Sequence, residues 1–355
     1  MSRADRVERR LAERELDALL VTGAANLRYV TGFTGSAGYA VVGAGLRRFV
    51  TDFRYVERAR SEVPDFDRER GPQEILGALA DGWPDGDVRL GFDDADLSVR
   101  AHRRLREVLP DSVELVEAGG VVEAERAIKE PGEIERIRAA AALADEVYAW
   151  VRERGLVGRT ERAVAVALEH RMRELGAQGP SFPSIVAAAD NGALPHAEPR
   201  DVEIPRDTLV TLDIGARLDG YCSDCTRTWA TGTPPDELAE AYGLVLRAQL
   251  TGLAAVRPGP EGRDVDAVAR QLIEDAGHGE HFGHGLGHGV DLEVHEAPRL
   301  GRGSETALAA GHVVTVEPGV YLPGVGGVRI EDLVVVTADG ADVLSGTAKD
   351  LQTVA

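Results

Sequence analysis

Apolar residues recur at helical spacing through Ile134, Ile137, Ala141, Ala144, Val147 and Val151, which predicts a helix with one buried face. Thr160 is placed to cap the next helix, which Gly176 would end, and Pro235 and Pro258 bracket another. Elsewhere the period falls to two. In Thr208 to Gly215 (TLVTLDIG), Val210, Leu212 and Ile214 lie on one face and Asp213 on the other, the pattern of a half-buried strand. A second extended run, Tyr221 to Trp229 (YCSDCTRTW), follows Asp219-Gly220, a dipeptide that tolerates positive φ and signals a hairpin turn. With those two residues as the loop, Leu218 pairs with Tyr221 and Asp213 lies opposite Thr226. Asp224 then shares the face of Asp213, diagonal to it and roughly 7–8 Å away at the backbone.

Residues 1 to about 125 read as alternating helices and strands. A charged helix runs to Glu15, apolar strands are expected at Asp17 to Val21, Tyr39 to Val42 and Arg48 to Thr51, and a helix starts at about Arg54. Strand Arg89 to Phe92 and a helix near Leu97 to Val108 complete a small α/β unit. Ala118-Gly119-Gly120 through Pro131 reads as the connection to a second domain, 126–355, where helices alternate with strand pairs. That order suits a curved antiparallel sheet covered by helices. A length of 355 residues exceeds what one hydrophobic core usually organises.

The second half also holds the chemistry. Asp213 and Asp224 are eleven apart, His288 follows, and Glu317 and Glu331 are fourteen apart. Four carboxylates and one imidazole form a hard, oxygen-rich ligand set that suits manganese, cobalt or zinc in a two-metal site. Two carboxylates on one face of a hairpin can converge on ions about 3.5–4 Å apart. His281 to His295 (HFGHGLGHGVDLEVH) interleaves histidines with glycines, which leave room for close approach to a ligand. Glu317 closes the apolar run Val313 to Val316, and Glu331 falls inside the extended run Val328 to Thr337, where a carboxylate is costly unless paired or cation-bound. The pattern points to hydrolysis by paired metals.

These segments resemble the pita-bread metallopeptidases, in particular their aminopeptidase P and prolidase branch. The resemblance is carried by Ile185 to Pro199 (IVAAADNGALPHAEP), Leu212 to Thr228 (LDIGARLDGYCSDCTRT), Gly283 to Pro298 (GHGLGHGVDLEVHEAP), Val316 to Tyr321 (VEPGVY) and Val328 to Leu333 (VRIEDL). It extends more loosely to Asn26 to Gly35 and Thr51 to Arg58. It implies a creatinase/prolidase-like N-terminal α/β domain, 1–125, and an α+β pita-bread catalytic domain, 126–355. It makes Asp213, Asp224, His288, Glu317 and Glu331 the ligands of two divalent cations, Mn²⁺ or Co²⁺ first and Zn²⁺ also accepted. Asp224 and Glu331 would bridge the ions, Asp213 would complete one coordination sphere, and His288 with Glu317 the other. A water or hydroxide shared by both ions is the implied nucleophile, and Glu317 the implied carrier of its proton. His196 and His295 match positions lining the cleft, where an imidazole can hydrogen-bond the scissile carbonyl. His284 matches a substrate contact, and Arg329 a cleft position that orients a ligating carboxylate.

The implied activity is cleavage of the bond before proline, in dipeptides (prolidase) or at the N-terminus of longer peptides (aminopeptidase P). Creatinase-like members lack the metal ligands, and methionine aminopeptidases usually lack a large N-terminal domain. A noncatalytic pita-bread binding module would typically have lost ligands, and all five are present. A homodimer is expected, with Gly32 to Gly38 and Arg54 as candidates for closing the neighbouring cleft. Asp291 stands where the family has glycine, and it brings a negative charge near the cleft or points away.

Composition narrows the partners. A net charge of −20 argues against nucleic acid. Neither a signal peptide nor a membrane-spanning run is apparent, so cytoplasm is the expected compartment. Cys222 and Cys225 are three apart on one predicted strand, so their side chains face opposite sides and read as packing residues. The basic residues are almost all arginine, with Lys129 and Lys349 the exceptions.

Overall fold

Ser2 starts the first helix: its hydroxyl accepts from the Asp5 amide at 3.1 Å, and the Asp5 carboxylate accepts from the Ser2 amide in return. In the computed structural model, which describes residues 1–72 and 74–355, this helix belongs to the first of two units, Met1–Arg126 and Ala127–Ala355. The first unit comprises α1 Arg3–Glu13, β1 Ala18–Val21, α2 Ala24–Thr31, β2 Gly38–Gly43, β3 Leu46–Thr51, α3 Val56–Glu62, β4 Asp67–Arg70, β5 Val88–Phe92, α4 Val99–Val108, β6 Val113–Glu117 and α5 Val121–Arg126. Its strands form one mixed sheet in the order β4-β3-β2-β1-β5-β6. Ala18, Leu20, Val41, Val50 and Leu90 point to one face and pack with Leu79 and with Leu105 of α4. Helices α1 and α2 pack on β2.

The second unit contains α6 Pro131–Arg154, α7 Glu161–Glu174, β7 Gly179–Pro180, β8 Ile185–Ala188, β9 Leu209–Ile214, β10 Ala216–Leu218, β11 Tyr221–Cys222, β12 Cys225–Ala230, α8 Asp236–Ala255, α9 Gly262–Asp275, β13 Gly287–Gly289, β14 Glu296–Leu300, β15 Val313–Val316, β16 Gly319–Leu322, β17 Gly326–Arg329, β18 Asp332–Val336 and β19 Ala341–Val343. Antiparallel pairing links β12-β9-β8, β14-β13-β15-β18-β19, β11-β10-β7 and β16-β17. Helix α6 is capped by Glu130 and Glu133, with Pro131 at its start, and Thr160 caps α7 by accepting from the Ala163 amide. These helices cover β8, β9 and β12 through Val147, Val151, Val164, Leu168, Val210, Leu212 and Ile214. Helices α8 and α9 bury Val245, Ala248, Val265 and Ala269 with Val314, Val316, Val328 and Val334.

The strand carrying Asp213 is not half-buried: all six residues of β9 are buried. Its apolar face meets the α6–α7 core. Its polar face belongs to a second interior, where the Thr211 and Thr228 hydroxyls are 3.0 Å apart and Thr228 donates to the Arg329 carbonyl. Polar residues on that face are therefore enclosed by the second layer of strands, and this positions the site. Among the described residues, no helix is long and apolar enough to cross a membrane.

Candidate metal centre

The hairpin forms in the expected register. Asp219 and Gly220 take φ values of 47° and 79°, Leu218 pairs with Tyr221, and Asp213 pairs with Thr226. The ribbon breaks at Ser223-Asp224. There the Ser223 amide donates to the Ala216 carbonyl, while the Ser223 hydroxyl, in place of a backbone carbonyl, takes the Ala216 amide. Opposite this break a Cβ on Gly215 would lie 2.0 Å from the Ser223 carbonyl oxygen, so only glycine fits. Released from the ladder, Asp224 turns into the interior beside Asp213.

The other residues arrive from the second sheet. His288 is on β13, next to a bulge at Gly289. The glycine before it serves packing: a Cβ on Gly287 would lie 2.0 Å from the Thr315 carbonyl of the neighbouring strand. Glu317 follows β15 directly. Glu331 does not lie inside a strand as expected but in the two-residue gap between β17 and β18, where its amide donates to the Thr226 carbonyl at 3.1 Å.

Asp213, Asp224, His288, Glu317 and Glu331 meet at one place. One ligand atom each from Asp213, Asp224 and Glu331, from His288, Glu317 and Glu331, and from Asp224, His288 and His295 lies within 4.8 Å of the others in its set. His288 Nε2 is 3.2 Å from Glu317 Oε1 and 3.6 Å from Asp224 Oδ2, while Nδ1 is 3.1 Å from the Gly289 carbonyl. That carbonyl accepts from Nδ1, which turns Nε2 toward the carboxylates.

The acids are placed by specific donors. Arg329 Nη2 donates to Asp213 Oδ2 at 2.7 Å, Thr226 Oγ1 to Glu331 Oε2 at 2.7 Å, and Thr315 Oγ1 to Glu317 Oε1 at 3.1 Å. Asp213 Oδ1 and Glu331 Oε1 are buried with no hydrogen bond among the described residues. Burial, with Glu331, Asp213 and Glu317 close by, raises the Asp224 carboxyl well above its ordinary range; burial and the Glu317 and Asp213 charges do the same to Glu331. Asp213 is raised less, because Arg329 opposes its burial. Burial also pushes Glu317 up, but its hydrogen bond to His288 and the nearby charges of His288 and Arg329 outweigh it and bring Glu317 down to about 2. The protein thus supplies too little positive charge for these acids, and hard divalent cations on the two orphaned oxygens fit the deficit.

The cluster floors a cavity of about 500 Å³ that is also lined by Phe182, His196, His284, His295, Arg299 and Tyr321. His196 and His295 are exposed there, and the His295 ring is 4.4 Å from that of His288. Burial and the neighbouring His288 and Arg299 lower His295 to about 4, so it is neutral at ordinary pH. Arg329 lines the cavity but is only 4% exposed. Its guanidinium is used on Asp213, Thr226, the Pro195 carbonyl and the Tyr321 hydroxyl, so it holds Asp213 and is not free for a substrate. The Tyr321 hydroxyl is in turn 2.9 Å from His284 Nε2. His284 Nδ1 lies 2.8 Å from the Gly285 carbonyl. Burial lowers the His284 pKa, so the ring is a neutral acceptor for the tyrosine proton. Asp291 does not reach the cleft: it is 0% exposed, absent from the cavity lining, and its carbonyl accepts the Cys222 amide. Both cysteines are free and buried. In the first unit, Arg54 is held bidentately by Asp52.

Sequence reasoning missed Tyr321 and Arg299. Tyr321 lies at the end of a matched segment, whereas Arg299 has no local signal at all. Arg299 is exposed and lines the cavity, and its guanidinium has no hydrogen-bond or ion-pair partner among the described residues.

A cavity of this kind, floored by four acids and an imidazole from two sheets, belongs to a metal-dependent peptidase. Residues 135–338 match metallopeptidase family M24 and residues 3–128 match the creatinase/prolidase N-terminal domain; the chain belongs to this family. It is 42% identical over 337 residues, 95% of each chain, to an uncharacterised peptidase of Bacillus subtilis. Its fold superposes on an Xaa-Pro dipeptidase from Bacillus anthracis with a TM-score of 0.94 at 38% identity, covering 99% of each chain. It also superposes on an X-Pro aminopeptidase from Thermotoga maritima with a TM-score of 0.89 at 33% identity, covering 97% of this chain and 99% of that one.

Proposed function

We propose that this chain is an Xaa-Pro dipeptidase, a prolidase, using two divalent cations, Mn²⁺ or Co²⁺, held by Asp213, Asp224, His288, Glu317 and Glu331. The carrying observation is the pair of orphaned oxygens on Asp213 and Glu331 within a buried acid cluster that floors an open cavity. Asp224, His288 and Glu331 each belong to two of the three close ligand sets, and of these only the two carboxylates have a second oxygen that could serve a second ion. When bound, such ions lower the pKa of water and stabilise the oxyanion formed on carbonyl attack.

The chain's own residues supply the rest. Glu317 stays deprotonated and so accepts the proton of the attacking water and passes it to the departing nitrogen. That transfer matters because the departing proline nitrogen must gain a proton to leave as a neutral amine. His295, neutral, and His196 hydrogen-bond the scissile carbonyl, and His284, fixed by Tyr321, contacts the substrate. The unpartnered Arg299 guanidinium at the cavity wall suits a free terminal carboxylate, and this favours a dipeptide. One observation favours the second reading, an aminopeptidase on longer peptides: His284, Gly285, Arg299 and Gly301 also line an adjoining groove of about 830 Å³. The proposal includes the division at about residue 125, a cytoplasmic location, and a homodimer in which Gly32 to Gly38 and Arg54 close the neighbouring cleft. A monomer of full activity would remove the last.

The test is proline release from Ala-Pro beside Ala-Pro-Ala by metal-stripped protein, with and without Mn²⁺ or Co²⁺, and with Glu331→Ala as control. Metal-restored cleavage of Ala-Pro, lost in the variant, is the expected result. Preference for Ala-Pro-Ala would move the assignment to the aminopeptidase. No cleavage of either by metal-loaded protein would overturn both.

A further inference from the structure

Behind Glu331, on the side away from the cavity, lies a buried charge cluster that the proposed reaction does not use. Arg227 is 1% exposed and Asp332 0%. Arg227 Nη2 donates to Asp332 Oδ1 at 2.8 Å, and Nη1 donates to the carbonyls of Thr226, at 2.9 Å, and Glu331. Both residues whose carbonyls Nη1 holds are part of the metal cluster or bonded to it, since Thr226 Oγ1 donates to Glu331 Oε2. The other Asp332 oxygen accepts from Gln249 Nε2 at 2.9 Å and from Lys349 Nζ at 2.6 Å. Lys349 comes from Ser345–Asp350, a segment that Arg227 also grips through the carbonyls of Thr347 and Ala348. Asp145 anchors the same segment through the amides of Gly346 and Thr347.

We propose that Lys349 is a positioning residue for the metal centre, acting through Asp332 and Arg227 on Glu331; this rests on the metal reading above. Asp332 directly follows Glu331, and its carboxylate is divided between two cations. With Lys349 in place, one oxygen of Asp332 is committed to Lys349 and Gln249, and only the other faces Arg227, which leaves Nη1 of Arg227 for the Glu331 carbonyl. Without Lys349, Asp332 has one donor fewer on Oδ2 and is free to rotate onto Arg227, which loosens the grip on the Glu331 backbone. In a chain with 40 lysines and arginines, the two lysines both pair with the acid next to a site residue: Lys349 with Asp332, and Lys129, through Nζ at 2.6 Å, with Glu296, the neighbour of His295.

The test compares Lys349→Met and Lys349→Arg with wild type, in the full-length chain. Affinity for Mn²⁺ and Co²⁺ is measured by competition with a fluorescent chelator, the visible absorption of bound Co²⁺ reports ligand geometry, and Tm is taken on metal-free protein. The expected result is about tenfold weaker binding and an altered Co²⁺ spectrum in Lys349→Met, with KM for Ala-Pro within about twofold and much of the affinity restored in Lys349→Arg. Wild-type affinity and spectrum in Lys349→Met would overturn the proposal, whatever happens to Tm. Equal weakness of both variants would also overturn it, by pointing to packing instead of charge. A wild-type protein that binds neither cation would instead overturn the metal reading on which the proposal stands.

Discussion

Each unit buries a group of acids, and the two groups are built differently. In the first, Asn26 Nδ2 donates to both Asp93 Oδ2 at 3.0 Å and Glu123 Oε1 at 2.6 Å, and the buried Arg126 holds the Asn26 carbonyl oxygen at 2.8 Å. The space beside them is about 10 Å³, about enough for one water molecule. In the second, carboxylates crowd a cavity of about 500 Å³ and two oxygens find no donor among the described residues. Crowded acids alone are therefore poor evidence of a site, because the protein can satisfy them with its own amides. Crowding that coincides with open volume and unmatched lone pairs calls for a cation.

The contrast can be broken most directly at Asp224. Asp224→Asn should cut the rate on Ala-Pro by about a thousandfold, roughly 4 kcal/mol of activation free energy, in a steady-state assay at saturating Mn²⁺. Asp93→Asn should leave it within about twofold. Equal losses would show that the two acid groups are not functionally distinct. The arginines provide the next comparison. Arg329→Lys should lower kcat by about 10- to 100-fold with little change in KM, since Asp213 loses its orienting partner, while Arg126→Lys should leave kcat alone. Arg299→Ala should raise KM for Ala-Pro about tenfold at nearly constant kcat. An amidated substrate, which lacks the carboxylate, should be indifferent to that change.

The smallest effect concerns pH. Asp224 and Glu331 have folded-state values above their ordinary ones, so the stability they contribute is fully present below the carboxylate range and is lost as pH rises through the raised values. Asp93, lifted to about 6 by burial and by Glu123, adds a loss of the same sign. Glu317 acts in the opposite sense, but only below the ordinary carboxylate range, down to its lowered value of about 2. Calorimetry of metal-free protein should therefore show Tm falling as pH rises out of the ordinary carboxylate range and on through about 6. Asp224→Asn should flatten the slope more than Asp93→Asn does. A flat wild-type profile would mean that the acids are relieved without cations.

The hairpin and its two aspartates were legible because turn chemistry and a period of two act over a few residues, so local composition specifies the register. Glu331 was harder. The apolar run from Val328 to Thr337 reads as one strand, but the chain leaves β17 and enters β18 between Arg329 and Asp332, and only tertiary pairing marks that gap. Strand β4 was invisible because Asp67–Arg70 is charged and exposed at all four positions, as suits the edge of a sheet. Helix α9 was also passed over, although Val265, Ala269 and Ile273 repeat at four-residue spacing on its buried face. The link from His284 through Tyr321 to Arg329 and Asp213 joins distant parts of the chain, and no window of sequence contains it. Asp291 illustrates the converse: its charge was plain and its burial was not.

The break at Ser223-Asp224 also determines where this chain can change length. Residues added at Asp219-Gly220 would enlarge a surface loop and leave Leu218 facing Tyr221, so the aspartates would keep their places. One residue added between Tyr221 and Asp224 would instead turn Asp224 toward the α6–α7 core, and it would displace the Ser223 carbonyl that already touches Gly215. Insertions and deletions among relatives should therefore gather at the turn and spare the three positions beyond it, however freely their side chains vary.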